Sequence, residues 1–277
     1  MDPAGKTFLI TGSTDGVGRL VALRLGVVGA NVLVHGRNAE RGGDVVAEIR
    51  RGGGSAAFHA ADLSSLDGVR KLAHVVRENH DRLDVLVNNA GIGSASGGRQ
   101  RRESADGHEL RFAVNYLATF LLTRLLLPLL RASTPARIVN VASLGQQAID
   151  FDDVMLIHGY DGSRAYAQSK LAQIMFTFDL ARDLDRTGVT ANCLHPATYM
   201  DTTMVRAGGI TPVSTVDEGA DAILKLAISD ELAGKSGLFF DRQRLSRANA
   251  QAYDEAARTR LSRLSYRLTG LAAAGTA

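Results

Sequence analysis

The sequence predicts an α/β fold: a doubly wound, parallel sheet of about seven strands with helices on both faces. Short apolar runs alternate with longer amphipathic stretches along the chain, which is the rhythm of repeated βαβ units. Runs such as Val85-Leu86-Val87 are apolar without alternation, as strands buried on both faces of a parallel sheet require. A glycine-rich turn also joins the first apolar run to the first helical pattern. The crossovers between parallel strands should then be right-handed.

The elements follow this order along the chain. Strands are predicted where short, mostly apolar runs are bounded by polar residues or glycine. They are Thr7–Ile10, Asn31–His35, Ala56–Ala60, Val85–Asn88, Arg137–Ala142, Val189–Leu194 and Gly237–Phe240. Helices are predicted where apolar residues recur at three- and four-residue spacing. They cover Val17–Val28 and residues 39–50, 65–79, 106–131, 163–185 and 216–228.

The longest helical segments include the most apolar stretch of the chain, Phe112 to Leu130. The length of this stretch approaches that of a membrane span, but Asn115, Arg124 and Pro128 interrupt it. We therefore interpret it as a buried core helix.

Length and composition favour one globular domain over residues 1–277, with its core at about 6–240. The chain has 277 residues, of which 45% are hydrophobic, and a formal net charge of +3. Such a small net charge does not favour nucleic-acid binding, and we interpret the arginines within 99–102 and 242–267 as solvated. The last residues, 270–277, lack periodicity, and a flexible tail is expected there.

The single cysteine, Cys193, excludes a disulfide framework and multi-cysteine metal sites, and it favours a reducing compartment. The seven histidines show no metal-binding spacing, so no metal is expected. The N-terminal residues, Met1 to Lys6, resemble neither a signal peptide nor a membrane anchor. We therefore expect a cytoplasmic protein.

The first strand runs into a glycine-rich turn that opens a helix, Thr11-Gly12-Ser13-Thr14-Asp15-Gly16-Val17-Gly18. Glycines allow the backbone to approach a ligand closely, and the helix N-terminus offers N–H donors and positive potential. In an open sheet this position suits the pyrophosphate of a dinucleotide. An ordinary tight turn is the alternative, because three glycines alone are not specific.

The second strand ends at His35-Gly36-Arg37-Asn38, without the acidic residue that binds both ribose hydroxyls of NAD. Arg37 can instead pair with a 2′-phosphate, so NADP(H) is the preferred cofactor and NAD(H) the alternative. A solvated surface arginine is the other interpretation of Arg37. Some NADP-binding proteins have an additional basic residue in the glycine turn, but this turn has the acidic Asp15 instead.

A predicted helix carries Tyr166-Ala167-Gln168-Ser169-Lys170. Residues four apart share a helix face, so Tyr166 and Lys170 are neighbours. A lysine ammonium beside a tyrosine favours the phenolate and should lower the pKa of Tyr166. Such a tyrosine can give a proton to a carbonyl oxygen, or take one from an alcohol, while hydride moves to or from a nicotinamide. By itself the pair is unspecific, because Tyr and Lys meet by chance on many helices.

Taken together, five motifs resemble the short-chain dehydrogenase/reductase family in order and placement. They are Thr11–Gly18, Asn88–Gly91, Asn115, Ser143 and Tyr166–Lys170. The resemblance extends from Lys6 to about Phe240 and implies a single-domain Rossmann fold.

The resemblance also implies roles for the catalytic residues. Tyr166 would be the acid/base, and Lys170 would lower its pKa and hold the ribose. Ser143 would orient the substrate oxygen, and Asn115 would complete a proton relay through water.

For the cofactor, the resemblance implies contacts along the whole carboxyl edge of the sheet. Asp62-Leu63 would contact adenine, Asn89-Ala90-Gly91 would support the adenine ribose, and the segment His195–Thr198 would contact the nicotinamide amide. With the residues above, the cofactor-binding set is Gly12, Ser13, Thr14, Asp15, Gly16, Val17, Gly18, Arg37, Asn38, Asp62, Leu63, Asn89, Ala90, Gly91, Tyr166, Lys170, Pro196 and Thr198.

Two features depart from the common family pattern. Ala197 stands where the family has a glycine, and Ser143 lies 23 residues before Tyr166, a longer spacing than most of the family has. The longer insert and the run Ala165–Gln173 resemble the retinol-dehydrogenase-like branch, which includes bacterial reductases of lipophilic and polyketide-type ketones. Because no N-terminal anchor is seen in the sequence, we expect a soluble, bacterial-type member.

The residues and the resemblance together predict an NADPH-preferring oxidoreductase. It would interconvert a ketone or aldehyde and an alcohol on a hydrophobic small molecule, polyketide-like or retinal-like, beneath a covering segment at Tyr199–Pro212. The family implies transfer of the pro-S hydride and a homodimer or homotetramer, usually through the helices here placed at 106–131 and 163–185. An NAD-dependent alcohol dehydrogenase is one alternative, and a cofactor-binding scaffold or sensor without turnover is another.

Overall fold

The computed structural model describes residues 1–94 and 100–272, and over these residues it shows one sheet of eight strands. The spatial order is β3-β2-β1-β4-β5-β6-β7-β8, and only the last pairing is antiparallel. In chain order the strands are β1 (Thr7–Ile10), β2 (Asn31–Gly36), β3 (Ser55–Ala60), β4 (Val85–Asn88), β5 (Ala136–Val141), β6 (Val189–His195), β7 (Phe239–Asp241) and β8 (Arg244–Ser246).

Polar side chains at the N-termini determine where most helices begin. Asp15, Asn38, Ser65, Asp161 and Asp254 each accept a backbone N–H of the first turn that the helix itself leaves unpaired. The helices are α1 (Gly16–Val27), α2 (Ala39–Arg51), α3 (Leu66–Asn79), α4 (Ala118–Ala132), α5 (Gly162–Asp183), α6 (Thr203–Ala207), α7 (Val216–Ile228) and α8 (Glu255–Thr269).

The strand order reverses direction at β1. The chain builds outward through β2 and β3, then crosses back to place β4 on the other side of β1, so that Ile10 pairs with both Val34 and Val87. The loops that leave β1 and β4 therefore diverge and open a crevice at the carboxyl ends of these strands. Ligands of open α/β sheets bind at this kind of switch point.

Alternate strand residues face two separate cores. On β1, Leu9 faces the core built with α3, α4, α5 and α8, whereas Phe8 and Ile10 face the core built with α1, α2 and α7. All three side chains are fully buried. Both sheet faces are thus covered, which explains why the strands are apolar throughout.

The apolar stretch around residue 120 is a core helix, as the sequence predicts. The segment Phe112–Ala132 has the length and mean hydropathy, 1.6, of a membrane span, but 72% of its most apolar window is buried inside the protein. Its first six residues, Phe112–Leu117, form a π-helical turn before α4 begins. The predicted start at 106 is too early, because residues 104–109 make a turn closed by the bridge between Glu103 and Glu109.

The C-terminal part departs most from the prediction. The sheet has eight strands rather than seven, because the chain turns at Arg242 and returns antiparallel as β8. The arginine-rich segment also forms α8, which the sequence analysis did not predict. Its buried face is a stripe of Ala257, Leu261, Ser265 and Thr269 at four-residue spacing, which the intervening arginines obscure in the sequence.

Two expectations fall partly on residues outside the described ranges. Of the predicted tail at 270–277, residues 273–277 lie outside them, and so does Arg99 of the predicted solvated arginine cluster. Of the other arginines in that expectation, Arg258 is an ion-pair partner of Asp179 in the structure.

Candidate active site and cofactor cleft

A cleft of about 750 Å³ lies at the carboxyl ends of the strands, at the switch point between β1 and β4. Its volume is typical of cavities that hold small molecules and cofactors. The predicted residues in its wall are Gly12, Thr14, Asp15, Gly16, Val17, Gly18, Arg37, Asp62, Leu63, Asn89, Ala90, Gly91, Tyr166 and Lys170.

The glycine turn packs too closely for side chains. A Cβ at Gly18 would lie 2.4 Å from the carbonyl oxygen of Gly12 and 2.4 Å from Nδ2 of Asn89, and Gly12 and Gly16 have φ angles of +66° and +53°. Asp15 caps α1 by accepting the N–H of Gly16 at 2.7 Å. The turn therefore brings the backbone and the N-terminus of α1 to the cleft, as an anion such as a pyrophosphate requires.

His35 fixes the glycine turn to β2. Its Nδ1 accepts the N–H of Gly12 at 3.1 Å, and its backbone N–H donates to Oγ of Ser13 at 3.0 Å. Burial lowers the pKa of His35 to about 4, so the ring is neutral and Nδ1 remains an acceptor at ordinary pH. The structure places Ser13 fully buried beneath the turn, where its hydroxyl donates to the carbonyl of Ile10.

Two guanidinium groups lie at the end of the cleft beside β2. Arg37 and Arg41 both line the cleft, and Nη1 of Arg41 lies 3.7 Å from Oδ2 of Asp15. Asn38 lies between them in sequence and caps α2 by accepting the N–H of Arg41 at 2.9 Å. Arg41 lies in the first turn of α2, and no motif in the sequence marks it as a cleft residue.

The loop after β4 is fastened to β1 by Thr11. The Thr11 hydroxyl accepts the backbone N–H groups of Asn89 and Ala90 at 2.9 and 3.0 Å, and the Asn89 amide donates to the carbonyls of Thr11 and Gly12. Across the cleft, Asp62 holds the loop after β3 by accepting the N–H of Ser64 at 3.0 Å. The cleft walls at this end are thus held by hydrogen bonds to the backbone.

Tyr166 and Lys170 line the opposite end of the cleft, whereas Ser143, which is buried, is not among its lining residues. Ser143 follows β5, and Tyr166 and Lys170 lie one turn apart on α5. Desolvation raises the pKa of the Tyr166 phenol overall, although its interaction with the Ser143 side chain lowers it. Lys170 is buried, and Nζ donates to the carbonyl of Val141 at 2.8 Å and to Oε1 of Gln173 at 3.0 Å.

The predicted lowering of the Tyr166 pKa is therefore not found. The Lys170 Nζ lies 5.9 Å from the centre of the Tyr166 ring and gives its hydrogen bonds to other groups. Burial also lowers the pKa of Lys170 itself to about 7, which weakens its positive charge near neutral pH. Desolvation of the phenolate thus outweighs the pairing that the four-residue spacing suggests.

Asn115 lies in the π-helical turn, and its side chain is fully buried. Its Oδ1 accepts the N–H of Ile92 at 2.8 Å, and its Nδ2 donates to the Ile92 carbonyl at 3.2 Å and to Oγ of Ser169 at 2.9 Å. The amide thus joins the loop after β4 to α5, next to Lys170. The side-chain amide is thus satisfied within the protein, and the part of Asn115 in a proton relay through water stays a prediction.

The segment after β6 forms the remaining wall. Ala197 lines the cleft, while the Thr198 hydroxyl pairs with Nε2 of His195 at 3.0 Å and the Thr198 carbonyl accepts the hydroxyl of Ser214. Pro196 connects these residues. The expected covering segment also contributes to the lining, through Tyr199, Met200, Thr202, Thr203, Met204 and Val205.

Sequence reasoning missed several other wall residues, for which no local motif gives a signal. They are His35, Gly36, Ala61, Ser64, Leu110, Val114 and Val141. Within residues 1–94 and 100–272, no group of three or more His, Cys, Asp or Glu side chains could hold a metal ion.

The arrangement fits a dinucleotide. Close backbone at the glycine turn suits a pyrophosphate, the two arginines suit a phosphate on the adenosine ribose, and the Tyr166 phenol lines the cleft where a carbonyl oxygen could accept its proton. The chain supplies proton donors at one end of the cleft and anion contacts along the rest.

Comparison with known proteins agrees with this geometry. A family model described as short chain dehydrogenase matches residues 6–209. Human retinol dehydrogenase 13 is 36% identical over 97% of this chain and 86% of its own length. Human retinol dehydrogenase 14 is 36% identical over 96% of this chain and 87% of its own length.

Solved structures share the fold. An uncharacterized protein from Mycobacterium paratuberculosis has a TM-score of 0.78 and 29% identity, over 96% of this chain and 94% of that chain. RhlG from Pseudomonas aeruginosa, in an NADP active-site complex, has a TM-score of 0.70 and 29% identity, over 87% and 97% of the two chains. The chain therefore belongs to the short-chain dehydrogenase/reductase family, in its retinol-dehydrogenase-like branch, and is an NAD(P)-dependent oxidoreductase.

Proposed function

We propose that this protein is an NADPH-preferring oxidoreductase that interconverts a ketone or aldehyde and the corresponding alcohol on a hydrophobic small molecule. One observation carries the proposal: a single cleft has two arginines, Arg37 and Arg41, at one end and Tyr166 at the other. The two arginines suit a 2′-phosphate, and the Tyr166 phenol suits proton transfer to oxygen.

The preference for NADPH rests on the charge beside β2. Arg37 and Arg41 present two guanidinium groups to the cleft, and β2 is followed by Arg37 rather than by an acidic residue. Asp15 lies close to Arg41 but on the glycine turn, where it caps α1. A short chain dehydrogenase from Escherichia coli complexed with NADPH, 28% identical with a TM-score of 0.70, supports the same preference.

Three side chains of the protein would carry the proton chemistry. A bound nicotinamide supplies hydride to a carbonyl carbon or accepts it from an alcohol. Tyr166 gives a proton to the carbonyl oxygen during reduction and takes one during oxidation, and its raised pKa favours the protonated, donating form. Ser143 holds the same oxygen through its hydroxyl, and Lys170 holds the ribose beside Tyr166.

A hydrophobic substrate suits the open side of the cleft. Leu144 follows Ser143 directly and is 45% exposed, and Tyr199 and Met204 are 51% and 44% exposed. Tyr199 and Met204 also line the cleft, and apolar side chains in a cleft wall suit an apolar ligand. Since retinol dehydrogenases 13 and 14 are relatives, retinal-like aldehydes are proposed beside polyketide-like ketones.

The test is oxidation of NADPH and of NADH, followed by nicotinamide absorbance, with aromatic aldehydes, retinal-like aldehydes, decalones and quinone or polyketide-like ketones. We expect turnover with NADPH that falls by about 10²- to 10⁴-fold in Tyr166→Phe, because the general acid is lost. Tyr266→Phe, on α8 and away from the cleft, is the matched control. Turnover unchanged in Tyr166→Phe would overturn the mechanism, and NADPH binding without turnover on any substrate would favour the scaffold or sensor.

A further inference from the structure

A glutamine in the insert joins the Ser143 turn to the C-terminal segment. Gln146 lies three residues after Ser143, and its Nε2 donates to the Ser143 carbonyl at 2.8 Å. Its Oε1 accepts the backbone N–H of Asn249 at 2.7 Å. Both halves of one amide are thus used, one on the turn after β5 and one on a segment about a hundred residues further along the chain.

The turn that Gln146 holds is packed against the proton-transfer groups. The N–H of Gly145 donates to Oγ of Ser143 at 3.0 Å. A Cβ at Gly145 would lie 3.4 Å from that oxygen and 3.6 Å from Cε1 of Tyr166. A shift of this turn would therefore move the Ser143 hydroxyl relative to the Tyr166 phenol.

The C-terminal segment has a second contact with the insert, through Gln251, and a separate anchor on α5, through Arg258, which supports the Gln146 contact without Gln251. The Gln251 side chain accepts the N–H of Ile149 at 2.6 Å and donates to the Ile149 carbonyl at 3.1 Å. Arg258 donates to the Ala252 carbonyl at 2.9 Å and to Asp179 of α5 at 2.8 Å. The segment is thus anchored on the helix that carries Tyr166.

We propose that Gln146 is a positioning residue, which holds the Ser143 turn against the C-terminal segment and so directs the Ser143 hydroxyl toward Tyr166. The inference rests on the proposed function, because it assigns Gln146 to the reaction through Ser143. It also gives the C-terminal segment a part in the active site, although none of its residues lines the cleft among those described.

Three variants separate positioning from general stability. Gln146→Met keeps the side-chain length and loses both hydrogen bonds, whereas Gln146→Glu keeps an acceptor for Asn249 and loses the donor to Ser143. Gln251→Met is the matched control, because it removes two hydrogen bonds between the same segments without touching Ser143. We expect kcat to fall by about three- to tenfold in both Gln146 variants, with the Kd of NADPH unchanged, and to stay near wild type in Gln251→Met.

The pH profile gives a second readout. The interaction with the Ser143 side chain lowers the pKa of Tyr166, so a looser turn should raise it. Reduction needs the protonated phenol, and its rate falls as pH rises through that pKa. We expect this fall to move to higher pH in Gln146→Met and to stay in place in Gln251→Met.

Hydrogen exchange at Gly145 reports on the turn without turnover. Its N–H is bonded to Ser143, so its exchange should be faster in Gln146→Met than in Gln251→Met. Equal exchange in the two variants, or equal kinetic losses, would overturn the positioning role. If the wild type shows no turnover that depends on Tyr166, the proposed function is overturned instead. The exchange measurement would then still show whether Gln146 holds the Ser143 turn.

Discussion

At the scale of single residues, burial changes the acid–base chemistry that the sequence suggests. Lys170 is buried, and the pKa of its amine is lowered to about 7 because burial removes the hydration of the ammonium. The same desolvation raises the pKa of Tyr166. Both shifts favour the neutral forms of the two side chains. Tyr166 is therefore present mainly as the protonated phenol, which can donate a proton, rather than as the phenolate.

The lowered pKa of Lys170 predicts a pH dependence of stability. Between about 7 and its usual value of 10.5, the unfolded chain binds a proton that the folded protein does not, so the free energy of unfolding should rise as pH rises through this window. We expect this slope to be smaller in Lys170→Met than in wild type, measured by urea denaturation. The exposed Lys71→Met serves as the control, and equal slopes in Lys170→Met and wild type would contradict the prediction.

Arg37 and Arg41 predict the cofactor preference. Removing a charge-assisted contact with phosphate should raise the Kd of NADPH by about 10- to 100-fold in Arg37→Ala and Arg41→Ala, with the Kd of NADH little changed. Titration of nicotinamide fluorescence measures both constants, and the exposed Arg51→Ala, at the far end of α2, is the control. An unchanged ratio of the two constants would remove the 2′-phosphate role and favour the NAD-dependent alternative.

At the scale of elements, α1 and the glycine turn must pack together before a ligand can approach. Gly18 and Gly43 differ in the space around them. A Cβ at Gly18 would lie 2.4 Å from the backbone of Gly12, whereas a Cβ at Gly43, on the exposed side of α2, would have no atom within 4 Å. Glycine is therefore required at position 18 in α1 and not at position 43 in α2. The cleft floor depends on a contact between elements, not on the turn alone.

This contrast predicts opposite effects of one substitution. Gly18→Ala should destabilise the protein by about 1–3 kcal/mol and weaken NADPH binding, because the turn must shift to admit the methyl group. Gly43→Ala should stabilise it by about 0.5–1 kcal/mol through helix propensity. Chemical denaturation and NADPH titration measure the two effects, and a Gly18→Ala protein as stable and as tight-binding as wild type would refute the packing argument.

At the scale of the whole molecule, α8 covers the two long helices expected to join subunits. Tyr266 of α8 stacks edge-on against Phe120 at 5.2 Å, Arg124 lies over both rings at 5.6 Å, and Tyr116 hydrogen-bonds to Ser265 at 2.5 Å. The middle of α5, residues 168–177, is buried throughout. The interface expected from the family is thus occupied by the chain's own C-terminal helix.

We therefore expect that α4 and α5 take no part in self-association. Light scattering gives the oligomeric state of the full chain, and hydrogen exchange at low and high protein concentration locates any interface. Protection that depends on concentration should fall outside residues 118–132 and 162–183. A dimer or tetramer with new protection on these two helices would contradict the expectation, since α8 would have to move away.

The sequence alone determined the parallel sheet, the glycine turn after β1 and the residue types of the candidate site. These features depend on local patterns: apolar runs such as β4, glycines in one turn, and the spacing of Tyr166 and Lys170 on one helix face. Only the tertiary structure decided the direction of the Tyr166 pKa, the place of Arg41 in the cleft, the contacts of Gln146 and the packing of α8. The physical reason is that desolvation and contacts between distant segments exist only after folding, so no local pattern records them.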